Sequence, residues 1–297
     1  MSAQRTLVVG ASGQLGTALL RQLGRHGLGA ARRQLDPAWL TLDLETLATD
    51  ASALDGLLER QSIGAVICAA GATNVDKCES DPAWATAANH LGPLALARAA
   101  RHLPFAFLST DYVFDGQAGP YSEDDAVHPL SQYGRAKADG EKAVLDAHPQ
   151  ALVIRTTTVY GPDPQGKNFL YTLRRLLSER KPMRVPNDQR ATPTHVDDLA
   201  TATLALLAGH SGLFHAAGPD FLGRYDFALQ SCAILGLDAS TMALVSTPEL
   251  KQAAARPLDG GLKIDKLHAA LPQVKMRGIR EGVAAWQDSE NAARDVA

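Results

Sequence analysis

Apolar residues in the first half of the chain come in short runs of strand length: Leu7–Val9, Leu28–Ala31, Leu40–Leu42, Ala65–Ala70, Pro104–Leu108 and Ala151–Ile154. Periodicity alone does not separate a buried strand from a buried helical segment of that length. The stretches between the runs decide it. Gln14–Arg25, Leu47–Arg60, Asp81–Arg101 and Gln132–Ala147 are long enough for crossover helices. Strand and helix in alternation predict right-handed βαβ units, hence an α/β fold with a doubly wound parallel sheet covered on both faces.

Beyond Arg155 the rhythm changes. Gly161–Gly166 has the composition of a loop, Asn168–Glu179 that of a basic amphipathic helix, and Lys181–Pro193 that of a loop with three prolines. Val196–Ala208 is expected to be a helix, opened by Thr194 or by Asp197-Asp198 in its first turn. Leu213–His215 is expected as one more strand, and Tyr225–Leu235, Pro248–Ala255 and Ile279–Glu290 as helices. Asn291–Ala297 is expected to fray. There is no internal repeat and no low-complexity stretch.

Composition narrows the functional classes. Of 297 residues, 45% are apolar and 21% charged, the balance of a packed globular protein. A net charge of −3 argues against a dedicated nucleic-acid binder, and no apolar run reaches the length of a membrane-spanning helix. The N-terminus passes from Met1-Ser2-Ala3 almost directly into Leu7–Val9, so no signal peptide is expected. Cys68, Cys78 and Cys232 are too few and too scattered for a disulfide framework or a zinc site, which makes a reducing, cytoplasmic setting the expectation.

Gly10-Ala11-Ser12-Gly13-Gln14-Leu15-Gly16 follows the first strand and opens the first helix. In a Gly-x-x-Gly-x-x-Gly turn, the first glycine permits the tight turn. The second lets backbone approach a pyrophosphate, and the third lets helix pack on strand. The N–H groups of Gly13, Gln14 and Leu15 then face the anion. A NAD-preferring site places an acid at the end of the second strand. That end reads Gly29-Ala30-Ala31-Arg32-Arg33, with no carboxylate before Asp36. Guanidinium groups at Arg32 and Arg33 suit a 2′-phosphate, so NADPH is favoured over NADH.

Tyr133 and Lys137 are four residues apart and adjacent on one helical face. A cation beside a phenol favours the phenolate and moves its pKa toward working pH. Ser109-Thr110-Asp111-Tyr112-Val113-Phe114 follows the fifth apolar run, at the strand end where an open α/β sheet places its chemistry. A hydroxyl there can hold the carbonyl oxygen that Tyr133 protonates.

Together these motifs resemble the extended short-chain dehydrogenase/reductases, most closely the dTDP-4-dehydrorhamnose reductase branch. The likeness runs from Leu7 to about Phe227 and returns at Arg256-Pro257. It is carried by Gly10–Gly16, Asn74–Glu79, Ser109–Gly116, Pro120–Asp124, Tyr133–Glu141, Arg155–Gly161 and Asp188–Thr194. The resemblance implies a Rossmann domain for NADP over 1–155, with 194–215 returning to it. It also implies a smaller, mostly helical substrate subdomain made of 156–193 and 216–297. Thr110, Tyr133 and Lys137 would be the catalytic triad, with Lys137 also holding the nicotinamide ribose. Asp43 and Leu44 would flank the adenine. Ala69, Ala70, Gly71 and Leu108 would line the cofactor, and Thr110 and Asp111 would touch the sugar. The implied reaction is NADPH-dependent reduction of the 4-keto group of a nucleotide-linked 6-deoxy sugar. The alternatives are reduction of another nucleotide keto sugar, or a non-catalytic NADP-binding regulatory subunit resembling the β subunit of methionine adenosyltransferase. A homodimer is left open.

Four positions depart from the branch. It usually has Trp in place of Thr158, Tyr in place of Gly71, Gly in place of Ala191, and Asn-Ser near Asp259-Gly260. All four are expected near the sugar, where Thr158 and Gly71 would enlarge the pocket. Lys167, Arg190 and Arg256 are candidates for the substrate's pyrophosphate. His195 beside Asp197-Asp198 reads as a helix start, not a metal ligand, and no metal site is expected. Glu123-Asp124-Asp125 reads as a solvated loop, Arg174-Arg175 as a wet helix face, and Cys68 as a small core hydrophobe.

Overall fold

The computed structural model describes residues 4–295. Six strands emerge from the six apolar runs: β1 (Arg5–Val9), β2 (Gly27–Ala31), β3 (Leu40–Thr41), β4 (Ile63–Cys68), β5 (Phe105–Thr110) and β6 (Leu152–Thr156). Four short strands follow: β7 (Val159–Tyr160), β8 (Met183–Pro186), β9 (Arg190–Ala191) and β10 (Thr194–His195). The last three are β11 (Gly212–His215), β12 (Leu222–Gly223) and β13 (Met242–Val245). The main sheet has the order β3-β2-β1-β4-β5-β6-β11, and every pair in it is parallel. Strand order reverses between β1 and β4. A crevice opens there beyond the carboxyl ends of the strands, as a doubly wound Rossmann sheet requires.

Side chains alternate across each strand, so each face acquires its own core. Leu7, Val9, Val66, Phe105, Phe107 and Val153 pack with Leu58 and Leu96 on one face. Val8, Ile67, Leu108 and Ile154 pack with Leu19, Leu199 and Leu206 on the other, under the helices Gln14–Leu23 and Val196–Leu207. A third core, with Tyr160, Leu173, Met183, Phe227, Met242 and Trp286, belongs to the smaller helical unit.

Several elements differ from the sequence reading. Leu47–Arg60 is not one helix. It breaks into Leu44–Leu47, a 3-10 turn Ser52–Leu54 and Leu57–Arg60, with Gly56 at φ +62. Asp81–Arg101 carries a π turn, Ala87–Leu91, between Pro82–Thr86 and Gly92–Ala99. Within Lys181–Pro193, β8 pairs with β13, because Met183 and Val185 have a core to enter. Pro248–Ala255 forms only the 3-10 turn Pro248–Leu250, after which Lys251 adopts φ +50. The helix Asp265–Ala270 was not anticipated. Leu262, Ile264, Leu267 and Leu271 bury themselves against the large sheet, so this part of 216–297 packs outside the small unit's core. The final helix, Ile279–Asp295, continues through most of the segment expected to fray; Val296 and Ala297 lie outside the described residues.

Candidate active site

The glycine turn is built for close backbone approach. Gly10 adopts φ +96, and a Cβ there would lie 2.6 Å from the Ala70 nitrogen. The Gly10 N–H donates to Ala30 O at 2.9 Å, and the Ala69 N–H to Val9 O at 2.9 Å. The loop is thus tied to both flanking strands. Gly13 caps the helix Gln14–Leu23 without any side-chain bond. The N–H groups of the first helical turn have no intrahelical partner and point into the crevice. The Gly13 N–H, expected to face the anion, instead donates to Gly10 O at 2.9 Å, which leaves Gln14, Leu15 and Gly16 at the helix start to offer an anion cradle, while a side chain at position 10 would run into the Ala69–Ala70 backbone.

Arg32 and Arg33 follow β2 and are exposed. Arg32 Nη1 lies 3.4 Å from Glu45 Oε1, a carboxylate that also accepts the Trp84 indole N–H at 2.7 Å. Asp43 caps the helix Leu44–Leu47 by accepting the Glu45 N–H at 3.1 Å, while Leu44 is buried against Gly92. Sequence reasoning missed Glu45; its only signal was its place two residues after Asp43. The cradle and the exposed guanidinium groups fit a dinucleotide carrying a 2′-phosphate.

The reactive helix Gln132–Ala147 starts where Ser131 Oγ accepts the Gly134 N–H at 3.2 Å. Gly134 rests directly on the Tyr112 carbonyl and Gly140 on that of Asn89. That approach brings Tyr133 beside Tyr112, with ring centroids 5.5 Å apart, and beneath Thr110 at the end of β5. Thr110 hydrogen-bonds the Tyr133 phenol, which pulls its pKa down, but burial dominates and holds it well above the ordinary tyrosine value. The lowering of the Tyr133 pKa expected from Lys137 is therefore outweighed, and the phenol rests protonated. Lys137 does not offset the burial; its Nζ donates to Leu108 O at 2.8 Å and sits over the Phe107 ring. Burial also lowers Lys137, to about 8. One turn further on, Glu141 accepts from Ser109 Oγ and pairs with Arg155 at 2.6 Å, which staples the helix to β5 and β6.

Asn89, in the π turn, is fully buried and was also missed. Its Oδ1 accepts the Ala72 N–H at 3.0 Å, and its Nδ2 donates to Ala72 O at 3.0 Å. A Cβ on Gly71 would lie 2.6 Å from Asn89 Oδ1 and 3.2 Å from Lys137 Nζ. Gly71 therefore faces Asn89 and Lys137, while the cleft that holds Thr158 and Ala191 is lined by other residues. The π turn is what brings Asn89 there, and residue type alone carries no sign of it.

Thr158 and Ala191 line one cleft with Asp111, Tyr112, Arg190 and Arg224. Gly260 lies against Asp111 as well, a Cβ there being 2.8 Å from Oδ2. Thr158 adopts φ +41, a strained conformation for a β-branched residue at a ligand cleft. Asp111 is held by Thr157 Oγ1 at 2.6 Å and Thr110 Oγ1 at 3.2 Å, and burial pushes its pKa up. Arg190 stacks over Phe221, 4.1 Å from the ring centroid, and remains half-exposed. Arg256 is otherwise engaged: both its terminal nitrogens bind Asp76, at 2.8 and 2.9 Å, and its side chain is only 8% exposed.

Other expectations change too. Glu123 accepts the His215 N–H at 2.8 Å and is not merely solvated. Arg174 binds Glu290 at 2.7 Å and lies over Trp286. His195, and not Thr194, caps its helix, Nδ1 accepting the Asp197 N–H at 3.2 Å, while Asp197 and Asp198 lie in the first turn as expected.

Comparison with known proteins agrees with this geometry. Residues 4–291 match the family model for the RmlD substrate binding domain, within the extended short-chain dehydrogenase/reductases. The chain belongs to this family. It is 35% identical over 273 residues to the probable low-salt glycan biosynthesis reductase Agl14 of Haloferax volcanii, covering 89% of this chain and 91% of that protein. To dTDP-4-dehydrorhamnose reductase of Mycobacterium tuberculosis it is 36% identical over 266 residues, covering 86% and 83%. The solved dTDP-4-dehydrorhamnose reductase of Bacillus anthracis, in complex with NADP, superposes with a TM-score of 0.86 at 27% identity, covering 96% and 99%.

Proposed function

We propose that the protein uses NADPH to reduce the 4-keto group of a nucleotide-linked 6-deoxy sugar, in the manner of dTDP-4-dehydrorhamnose reductase. The observation that carries the proposal is the meeting of Thr110, Tyr133 and Lys137 at the end of β5 beside the glycine cradle. Residues 1–155 with 194–215 bind the cofactor; the remainder supplies the sugar side, with Thr158, Arg190 and Asp111 in its cleft.

Bound NADPH supplies a hydride to the carbonyl carbon. Tyr133 holds the proton that the C4 oxygen needs, because burial keeps the phenol protonated at working pH. Thr110 hydrogen-bonds that phenol and orients the same oxygen. Lys137, held at Leu108 O one helical turn beyond Tyr133, would hold the nicotinamide ribose and return a proton to the phenol. Asp111, buried between Thr110 and Thr157, is available to bind a sugar hydroxyl.

No helix among the described residues is long and apolar enough to cross a membrane. A cytoplasmic enzyme acting as a homodimer on a small nucleotide sugar, with no nucleic-acid partner, completes the reading. NADPH oxidation against a panel of nucleotide 4-keto sugars tests it. Turnover of the 6-deoxy members supports the proposal. Cofactor binding without turnover of any member would place the protein with non-catalytic relatives.

A further inference from the structure

The loop Gly161–Lys167 leaves the small unit and comes down on the glycine turn of the large one. Gln165 Nε2 donates to Ser12 O at 2.9 Å, and Gln14 Nε2 donates to Gly161 O at 3.2 Å. The loop is braced from within. Asp163 accepts the N–H groups of Gln165, Lys167 and Asn168, at 3.0, 2.8 and 3.2 Å, and Gly166 makes the bend at φ +59. Lys167 Nζ donates to Gln165 Oε1 at 2.8 Å, so its ammonium is carried on the same amide that touches the anion cradle.

Among the described residues no carboxylate pairs with its ammonium, whereas nearby Arg21 is taken by Asp197 and Arg256 by Asp76. The cradle offers an incoming pyrophosphate only backbone N–H groups and the partial charge of one helix end. A full positive charge within one side chain's reach complements a group that carries negative charge at neutral pH. Of the two pyrophosphates a nucleotide-sugar reductase binds, the contact of its loop with the glycine turn favours the cofactor's for Lys167.

We infer that Lys167 is a cofactor-binding residue lent by the small unit, its ammonium pairing with the pyrophosphate of NADPH or NADH above the Ser12–Leu15 turn. This deepens the proposed cofactor role and rests on it.

Lys167→Met tests the inference, with dissociation constants for NADPH and NADH measured by nicotinamide fluorescence. For an exposed charge pair, a loss of about 1.5- to 5-fold is expected for both cofactors alike, shrinking as salt is raised. Adenosine 2′-monophosphate has the 2′-phosphate but no pyrophosphate, and should keep its affinity in the variant. Lys167→Arg should restore most of the loss. Unchanged affinity for both dinucleotides overturns the inference, as does a loss confined to NADPH or a rise only in KM for the sugar. Arg32→Ala measured alongside separates the two levels. If neither cofactor binds the unmodified protein, or Arg32→Ala leaves NADPH untouched, it is the proposed cofactor reading that fails.

Discussion

Lys137 is expected to make catalysis possible at the expense of stability. Its side chain is buried beside Phe107 and Leu108, and only 4% of the residue is exposed. Burial lowers the ammonium from 10.5 to about 8, against the opposing influence of Cys68, Glu141 and Cys78, the titratable groups that face it. Keeping it charged at neutral pH therefore costs about 3 kcal/mol relative to an exposed lysine. Lys137→Met removes that cost and fits an unbranched apolar chain into the same space. It also leaves the Leu108 carbonyl without this donor, which returns roughly 1–2 kcal/mol. The net expectation is a cofactor-free variant more stable at pH 7 by about 1–2 kcal/mol, or roughly 2–5 °C in Tm, while reduction falls at least about 100-fold. The pH dependence follows from linkage. Between about 8 and 10.5 the unfolded lysine holds its proton and the folded one has released it. The unfolded state then binds more protons, so wild-type stability rises with pH through that window. The advantage of the variant should therefore shrink from pH 8 upward. Denaturant titrations at pH 7, 8.5 and 9.5 give the comparison. A variant less stable than wild type at pH 7, or a gap that is flat with pH, would refute the reasoning.

Four further outcomes are expected. Tyr133→Phe should leave NADPH affinity within about twofold and cut kcat by at least about 100-fold, as stopped-flow reduction reads it; retention of most of the rate would assign the proton to another donor. Replacing Arg32 and Arg33 by Ala should weaken NADPH by about 10- to 150-fold and spare NADH, whereas Glu45→Gln should strengthen NADPH selectively by freeing Arg32 from its carboxylate; fluorescence titration of both cofactors decides. Thr158→Trp should lower kcat/KM for sugars with bulky substituents at least about tenfold relative to the 4-keto-6-deoxy parent, because the indole would enter the cleft beside Asp111, Tyr112 and Arg224; equal kcat/KM values across the panel would show that Thr158 does not set the space.

Local pattern determined much of this protein. Six apolar runs became six of the seven strands of the main sheet, and the helix Gln132–Ala147 has the bounds its sequence pattern predicts, because strand length and helical period are properties of neighbouring residues. The glycine turn and the Tyr133–Lys137 spacing were legible for the same reason: each works within one turn of chain. Tertiary structure alone decided which charges stay free. Arg256 and Asp76 lie 180 positions apart, and Gln165 meets Ser12 across 153, so no window on the chain shows that the first cation is engaged or that the loop carrying Lys167 meets the glycine turn. The protonation state of Tyr133 was decided there too. Adjacency on a helix put a cation one turn away, but desolvation by the packed walls of the cleft outweighs it. Asn89 reaches Ala72 from a π turn whose carbonyl rests against Gly140 of a distant helix. Pattern along the chain places the backbone; burial and long-range pairing, which depend on what arrives from elsewhere, set the chemistry of the side chains.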